Sequence, residues 1–267
     1  MESGSAIRLV AALASVGGVI SSLEVIWYWR SLRLWFAQPW HMRAAPSSNS
    51  AMGCAWRLLR SERLSYGLAW LRLGLFLWLL FSAIISVPSG GVALALAILL
   101  TVEMSLRAIG ADGADQMTVL ICAAVAVATL IPSPNAPLLA LMFLTAQIGL
   151  AYATAGVAKL WSPAWMREGV LARILNTETY GHRLAARFLS THRRVDRAMS
   201  AGIGVMEVAI PLLCLMPSHA SLIIALSIGF SFHLGCALLM GLNNFVWAFV
   251  ATYPAIYFLH CYVYRCE

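Results

Sequence analysis

The sequence contains few charged residues and has a mean hydropathy of +0.81. Only 11% of its 267 residues are charged and 61% are hydrophobic, whereas soluble domains are about 25% charged. This composition excludes an ordinary cytosolic globule, and it also excludes intrinsic disorder. Because each helical crossing needs about 20 apolar residues, the length allows at most about eight or nine spans, with no room for a large soluble domain. The sequence predicts a polytopic membrane protein.

The six cysteines lack the spacing of a zinc site or of a paired redox motif. Cys122 and Cys236 lie inside apolar runs, where cysteine is typically a small packing residue. Cys261 and Cys266 would pair if that end of the chain faced an oxidising compartment. The sequence predicts no metal centre, and the pairing is left open.

Eight apolar runs separated by polar segments predict an all-α transmembrane bundle. The first run begins after Glu2 and ends before Arg30, which favours a membrane span over a cleaved signal peptide. Turns rich in proline and glycine connect several of the later runs and make neighbouring helices antiparallel. The predicted spans lie near residues 6–28, 66–87, 91–107, 116–131, 138–159, 200–216, 220–240 and 243–262.

Two long connections carry most of the arginines. Residues 30–64 contain six and residues 160–199 contain seven, whereas the turns at 88–91, 132–137 and 217–219 contain no lysine or arginine. The positive-inside rule places both basic loops in the cytoplasm, and eight spans then leave both termini outside. Lipid headgroups and insertion polarity explain the net charge of +7 better than a nucleic-acid partner does. An amphipathic pattern around 167–189 predicts interfacial helices in the second loop.

One lysine stands out among the residues near the ends of the spans. Lys159 is the only lysine of the sequence, and the other seventeen basic residues are arginine. It shares a helix face with Tyr152, and Gly156 between them leaves room for a second helix or a flat ring. An amine shielded from water can act as a base, which a guanidinium cannot. The alternative is a lysine that extends to the headgroups.

Ionisable or strongly polar side chains inside a membrane span are costly, so each is a functional candidate. Glu207 precedes Pro211 by four residues, which predicts a kinked helix that either opens a pocket or only packs. His233 shares a face with Gly229 and is either a core histidine, a contact to a quinol-like substrate or a soft-metal ligand. The candidates within the spans are Glu24, Arg72, Glu103, Gln147, Glu207 and His233.

A polar stretch joins the third and fourth predicted spans. Glu103 and Arg107 are four residues apart, which predicts a structural ion pair at a helix end. Asp112 and Asp115 follow in a turn that contains glycine. Two carboxylates are few ligands for a divalent cation. We therefore expect Asp115 to cap the next helix.

The segment from Tyr152 to Trp165 carries a family resemblance. Its sequence Tyr-Ala-Thr-Ala-Gly-Val-Ala-Lys-Leu-Trp-Ser-Pro-Ala-Trp, followed by Glu168-Gly169, resembles the signature of the horizontally transferred transmembrane (HTTM) domain family. That family includes the membrane half of vitamin K-dependent gamma-carboxylase and bacterial proteins that mature sporulation-delaying peptide toxins. Weaker matches extend the resemblance from about residue 60 to the C-terminus: Leu71-Arg72-Leu-Gly, the Gly-x-Asp-Gly turn at 110–113, Met206-Glu207 with Pro211, and His233-Leu followed by Gly241-Leu242.

The resemblance implies a division of the chain and a chemistry. It implies an N-terminal helix and basic loop in residues 1–59 and an HTTM-like core in residues 60–267. It further implies that Lys159 deprotonates a reduced quinone, which then reacts with molecular oxygen. The sequence lacks the large soluble domain that holds the glutamyl substrate in the carboxylase, so peptide carboxylation is not implied. The residues that would line or tune the substrate site are Tyr152, Gln147, Gly156, Arg72, Glu207 and His233.

Two functional hypotheses follow. In the first, the protein is a membrane enzyme that uses Lys159 to oxidise or oxygenate a quinol-like or aromatic substrate, in the modification of a peptide or natural product. In the second, it is a non-enzymatic subunit for the maturation, export or immunity of a secreted peptide, with residues 160–199 as the docking surface. The sequence shows no internal repeat, which argues against a transporter. We expect the location to be a bacterial cytoplasmic membrane.

Overall fold

A computed structural model describes residues 2–29, 62–87, 89–106, 112–177 and 181–265. Within these ranges every regular element is a helix, so the predicted all-α fold is confirmed. The chain separates into two compact units. The N-terminal unit comprises Ile7–Ala140, and the C-terminal unit comprises Met1–Ala6 together with Leu141–Glu267. The predicted division after residue 59 falls outside the described residues and stays a prediction.

The N-terminal unit contains most of one helix and three further helices. These helices are α1 (Ser3–Trp27), α2 (Glu62–Ile85), α3 (Gly90–Leu106) and α4 (Gly113–Leu130). Close contacts between them are made at glycine. A side chain at Gly18 of α1 would collide with the ring of Phe76, which is buried on α2. A side chain at Gly90, where α3 begins, would approach Cγ of Leu130 on α4 to 2.6 Å.

The C-terminal unit contains four long apolar segments and a set of short helices. The helices are α5 (Ala136–Trp161), α6 (Leu171–Leu175), α7 (Arg183–Thr191), α8 (Arg193–Cys214), α9 (His219–Met240), α10 (Asn243–Val250) and α11 (Tyr253–Tyr264). The long helices are α5, α8 and α9, and α10 and α11 follow each other as one apolar segment. A π-helical turn, Ala164–Glu168, and the short helices α6 and α7 lie between α5 and α8.

Seven segments of the described chain are long and apolar enough to cross a membrane, and α3 is a shorter apolar helix. Each predicted span coincides with one of these eight segments, and the chain is a multi-pass membrane protein. The last predicted span is interrupted between Val250 and Tyr253. Pro254 has no backbone N–H to donate to the Val250 carbonyl, and the Phe249 carbonyl accepts from both the N–H and the hydroxyl of Thr252.

The start of α8 differs from the prediction. The helix begins at Arg193, well before the predicted residue 200, because its first turns are polar and hydropathy cannot detect them. Two buried side chains of these turns hold the preceding connection. Ser200 Oγ accepts from Val170 N at 3.0 Å, and Asp196 Oδ1 accepts from Ala172 N at 3.2 Å.

The predicted interfacial helices around 167–189 form as short separate pieces. Gly169 interrupts them with a φ of 77°, and a side chain there would meet Asp196 Oδ2 at 2.7 Å. Glycine is therefore required for both its conformation and its close contact. The pieces α6 and α7 then pack together through Leu175, Ala186 and Leu189. This packing holds the basic connection against the rest of the C-terminal unit, where Met240 joins the cluster.

Candidate functional site

Lys159 and Glu207 form an ion pair between α5 and α8. Lys159 Nζ donates to Glu207 Oε2 at 2.5 Å, and the two side chains are 20% and 6% exposed. The ring of Trp165 lies with its centroid 5.2 Å from the same nitrogen. The amine is therefore directed toward a carboxylate on the neighbouring helix, with an aromatic ring beside it.

A close approach of α5 and α8 makes this pair. A side chain at Gly156 would meet the Gly204 carbonyl oxygen and the Val208 nitrogen, each at 2.9 Å. A side chain at Gly204 would in turn meet Cβ of Lys159 at 3.3 Å. Small residues let helix backbones approach within the membrane. Of the two uses that the sequence left open for the space at Gly156, the structure shows a second helix there.

Tyr152 and His233 form a second buried pair, between α5 and α9. Tyr152 Oη lies 2.7 Å from His233 Nε2, and both residues are buried. The imidazole packs against the ring of Phe249 with centroids 4.0 Å apart. Its Nδ1 has no hydrogen-bond partner in the described part of the chain. The structure thus joins the predicted residues of the C-terminal unit as two pairs, Lys159 with Glu207 and Tyr152 with His233.

A cavity of about 580 Å³ lies within the C-terminal unit. We call it the C-terminal cavity. Tyr152 lines it, but Lys159 and His233 are not among the described residues that do. Gly229 forms part of its wall, where an added side chain would meet the hydroxyls of Tyr152 and Tyr253 at 3.1 Å each. Tyr152, in the cavity wall, and Lys159, in the ion pair, are about two helical turns apart on α5. The cavity and the ion pair are therefore neighbouring features of α5 and α8.

Arg72 makes its contacts within the N-terminal unit. Its Nη1 donates to Glu103 Oε2 at 2.8 Å, its Nε to Ser22 Oγ at 3.0 Å, and its Nη2 to the Ser21 carbonyl at 3.3 Å. The Arg72 side chain is 4% exposed. Arg107, the partner that the sequence predicted for Glu103, lies outside the described residues.

Three other predicted positions, Asp112, Asp115 and Gln147, belong to neither of the two buried pairs. Asp112, and not Asp115, caps α4, because the helix begins at Gly113 and the Asp112 carboxylate accepts from Asp115 N at 2.8 Å. This corrects the prediction that Asp115 is the cap. Gln147 is half-buried on α5 and is not among the described residues that line the cavity.

The sequence did not single out three residues that the structure places beside Arg72 or in the cavity wall. Ser22 is a buried partner of Arg72, and Tyr253 and His260 line the C-terminal cavity. His260 is a histidine inside a predicted span, so the rule that selected His233 could have selected it too. Ser22 and Tyr253 carry no such signal, because serine and tyrosine are common in membrane helices.

No group of three or more His, Cys, Asp or Glu side chains in the described ranges is arranged to hold a metal ion. Cys266 lies outside those ranges, so its pairing with Cys261 stays a prediction. Comparison of the chain with protein-family models, with curated proteins and with solved structures finds no match.

Proposed function

We propose that this protein is a membrane enzyme in which Lys159 removes a proton from a quinol-like or aromatic substrate. The observation that carries the proposal is the 2.5 Å pair between Lys159 Nζ and Glu207 Oε2. The resemblance of the Tyr152–Trp165 segment to HTTM proteins supports the same role for Lys159. Reduced quinone would supply the electrons and molecular oxygen would accept them.

The pair provides the base. A lysine paired with a carboxylate has two forms, ammonium with carboxylate and amine with carboxylic acid. The second form escapes the cost of burying charge, and rotation about the Cε–Nζ bond then turns the single lone pair of Nζ from Glu207 toward a substrate hydroxyl. When Nζ accepts the substrate proton, the resulting ammonium lies beside the substrate anion and stabilises it.

The surroundings of the amine suit a flat substrate. Glu207 closes one side of the nitrogen, while the Lys159 side chain keeps 20% of its surface exposed for approach from the other side. The Trp165 ring lies 5.2 Å from Nζ, and a ring in that position makes a cation–π contact with the ammonium that forms when Nζ takes the proton. A lipophilic substrate would reach this position from the bilayer.

The decisive variant is Lys159→Arg, which keeps a cation for Glu207 but cannot serve as a base. We expect it to lower the rate of oxygen-dependent naphthoquinol consumption about 10²- to 10⁴-fold, the usual contribution of a general base. The rate is measured on full-length protein in lipid nanodiscs, with protein-free nanodiscs as the blank. Thr154→Val, an exposed change on the same helix, is the matched control and should leave the rate unchanged.

Normal turnover by Lys159→Arg would contradict the proposal. It would then favour the alternative, in which the protein is a non-enzymatic subunit that serves a secreted peptide. A subunit of that kind tolerates changes at Lys159. That alternative predicts loss of peptide maturation when exposed arginines of α7, Arg183 and Arg187, are replaced by glutamine. For either function we propose a bacterial cytoplasmic membrane as the location, with both termini outside and a secreted peptide as a candidate partner.

A further inference from the structure

The C-terminal cavity opens onto the apolar surface of its unit. Leu150, Leu215 and Val263 line the cavity, and they are 57%, 68% and 57% exposed. In a membrane-spanning segment, exposed apolar side chains face the hydrocarbon of the bilayer. A ligand of this cavity therefore enters from the lipid, and the volume of about 580 Å³ is that of an ordinary small-molecule site.

Three of the hydroxyl groups around the cavity already use their protons. Tyr253 Oη donates to the Leu226 carbonyl at 3.0 Å, and Thr145 Oγ1 donates to the Leu141 carbonyl at 2.9 Å. Tyr264 Oη donates in the same way to the carbonyl of Leu215, the residue that follows α8. A carbonyl can only accept, so these hydroxyls keep lone pairs but no proton for a ligand.

His260 adds a stronger acceptor to the same lining. Its Nδ1 lies 3.2 Å from the Cys214 carbonyl and must carry the proton of that bond, which leaves Nε2 of the neutral ring as a bare acceptor. His260 is 5% exposed, and Nε2 has no partner in the described chain. The ring packs 4.8 Å from Tyr264, which is 37% exposed, so His260 lies near the mouth of the cavity. An unpaired acceptor is costly in a membrane, where water does not satisfy it.

We propose that the C-terminal cavity binds an uncharged lipophilic molecule whose hydroxyl donates to His260 Nε2. No charged residue is among the described residues of the lining, so a charged headgroup would lie there unpaired. The chemistry fits an aliphatic lipid alcohol or a phenol with a lipid tail. The site is independent of Lys159, and the inference stands whether or not that residue is catalytic.

The test uses photocrosslinking of full-length protein in phosphatidylcholine vesicles. The probes are a diazirine-bearing hexadecanol, a diazirine-bearing alkylphenol and the methyl ether of each, which lacks the hydroxyl proton. We expect each labelled peptide to map to the cavity-lining parts of α5 and α11. The better of the two hydroxyl probes should label them about fivefold more than its ether does, the effect of one hydrogen bond of about 1 kcal/mol. The preferred hydroxyl probe identifies the source as alcohol or phenol.

Two variants separate the site from non-specific labelling. His260→Phe should make the hydroxyl probe and its ether equal, while His192→Phe, a matched histidine outside the lining whose Nδ1 also contacts a carbonyl, should not. Gly149→Phe should abolish cavity labelling by filling the space, since an added Cβ there meets nothing within 4 Å. Gly235→Phe, equally unhindered but outside the lining, is its control.

Equal labelling by hydroxyl and ether probes in the unaltered protein would overturn the proposal. Labelling that persists in Gly149→Phe, or that never maps to the cavity, would overturn it as well. The comparison of hydroxyl with ether probes needs no substitution, so misfolding of a variant cannot hide a negative result. Because no catalytic activity is read, the result is distinct from that of the Lys159→Arg test.

Discussion

Arg72 is a charge buried inside the N-terminal unit with partners for its whole guanidinium. Its Nε, Nη1 and Nη2 each have an acceptor, from Ser22, Glu103 and the Ser21 carbonyl. A guanidinium presents several donors in a fixed plane, which suits three acceptors on two neighbouring helices better than the single point charge of lysine would. The network therefore ties α1, α2 and α3 together through one side chain.

Removing this arginine should destabilise the protein strongly, because the partly buried Glu103 carboxylate would lose the cation that Arg72 supplies. We expect Arg72→Met to lower the free energy of unfolding by about 3–5 kcal/mol, the usual cost of breaking a buried ion pair. Unfolding is followed by circular dichroism during titration with sodium dodecyl sulphate in bicelles. Arg63→Met removes an exposed arginine from the same helix and should change stability by less than about 0.5 kcal/mol.

The double variant in which Arg72 and Glu103 are both methionine distinguishes the cause. Because replacing both residues leaves no unpaired charge, the double variant should lose clearly less stability than Arg72→Met alone. A double variant as unstable as the single one would show that packing around Arg72, and not its charge, is what matters.

The sequence alone identifies individual polar residues but not their partners. Lys159, Glu207, Tyr152 and His233 could each be selected because polar groups at membrane depth are costly. Their pairing joins positions 48 and 81 residues apart, and such contacts depend on which helices pack together. The one pair that the sequence did suggest was local, from Glu103 to Arg107, because the spacing of one helical turn is the only proximity that a single sequence displays.

At the scale of the element, α4 depends on its first residues. Asp112 is in an extended conformation and its carboxylate accepts from Asp115 N at 2.8 Å. This bond satisfies one of the backbone donors that a helix start leaves open. The acidic Asp115 in the first turn adds a favourable interaction with the helix dipole.

Asp112→Ala should therefore cost about 1 kcal/mol of unfolding free energy, the usual value for a lost cap. The same bicelle titration measures it. Asp112→Asn keeps an oxygen acceptor and should remain within a few tenths of a kcal/mol of the natural protein. An equal loss in both variants would mean that the charge of Asp112, and not the capping bond, stabilises the helix start.

Hydropathy finds apolar helices well but places their ends poorly. All eight predicted spans have a counterpart because each contains an apolar run long enough to stand out. The start of α8 was missed because Arg193, Arg194 and Arg197 lie in its first two turns. The break between α10 and α11 was missed because the residues on both sides of it are equally apolar.

At the scale of the whole molecule, the short helix α3 decides the topology. Its 17 residues give about 25 Å of helix, close to the lower limit for crossing a hydrocarbon core of about 30 Å. If α3 crosses, the chain makes eight crossings and its termini lie on the same side. If it does not, the seven long segments place the termini on opposite sides.

We expect eight crossings, because the positive-inside rule places residues 30–64 and 160–199 on one side and both termini on the other. In a cysteine-free background, Glu2→Cys and Glu267→Cys should react with a membrane-impermeant maleimide in intact cells. Ser190→Cys, an exposed position at the end of α7, should react only after permeabilisation. Labelling of one terminus but not the other would mean that α3 lies in the membrane without crossing it. The glycine contact of α3 with α4 at Gly90 would then hold a re-entrant helix rather than a span.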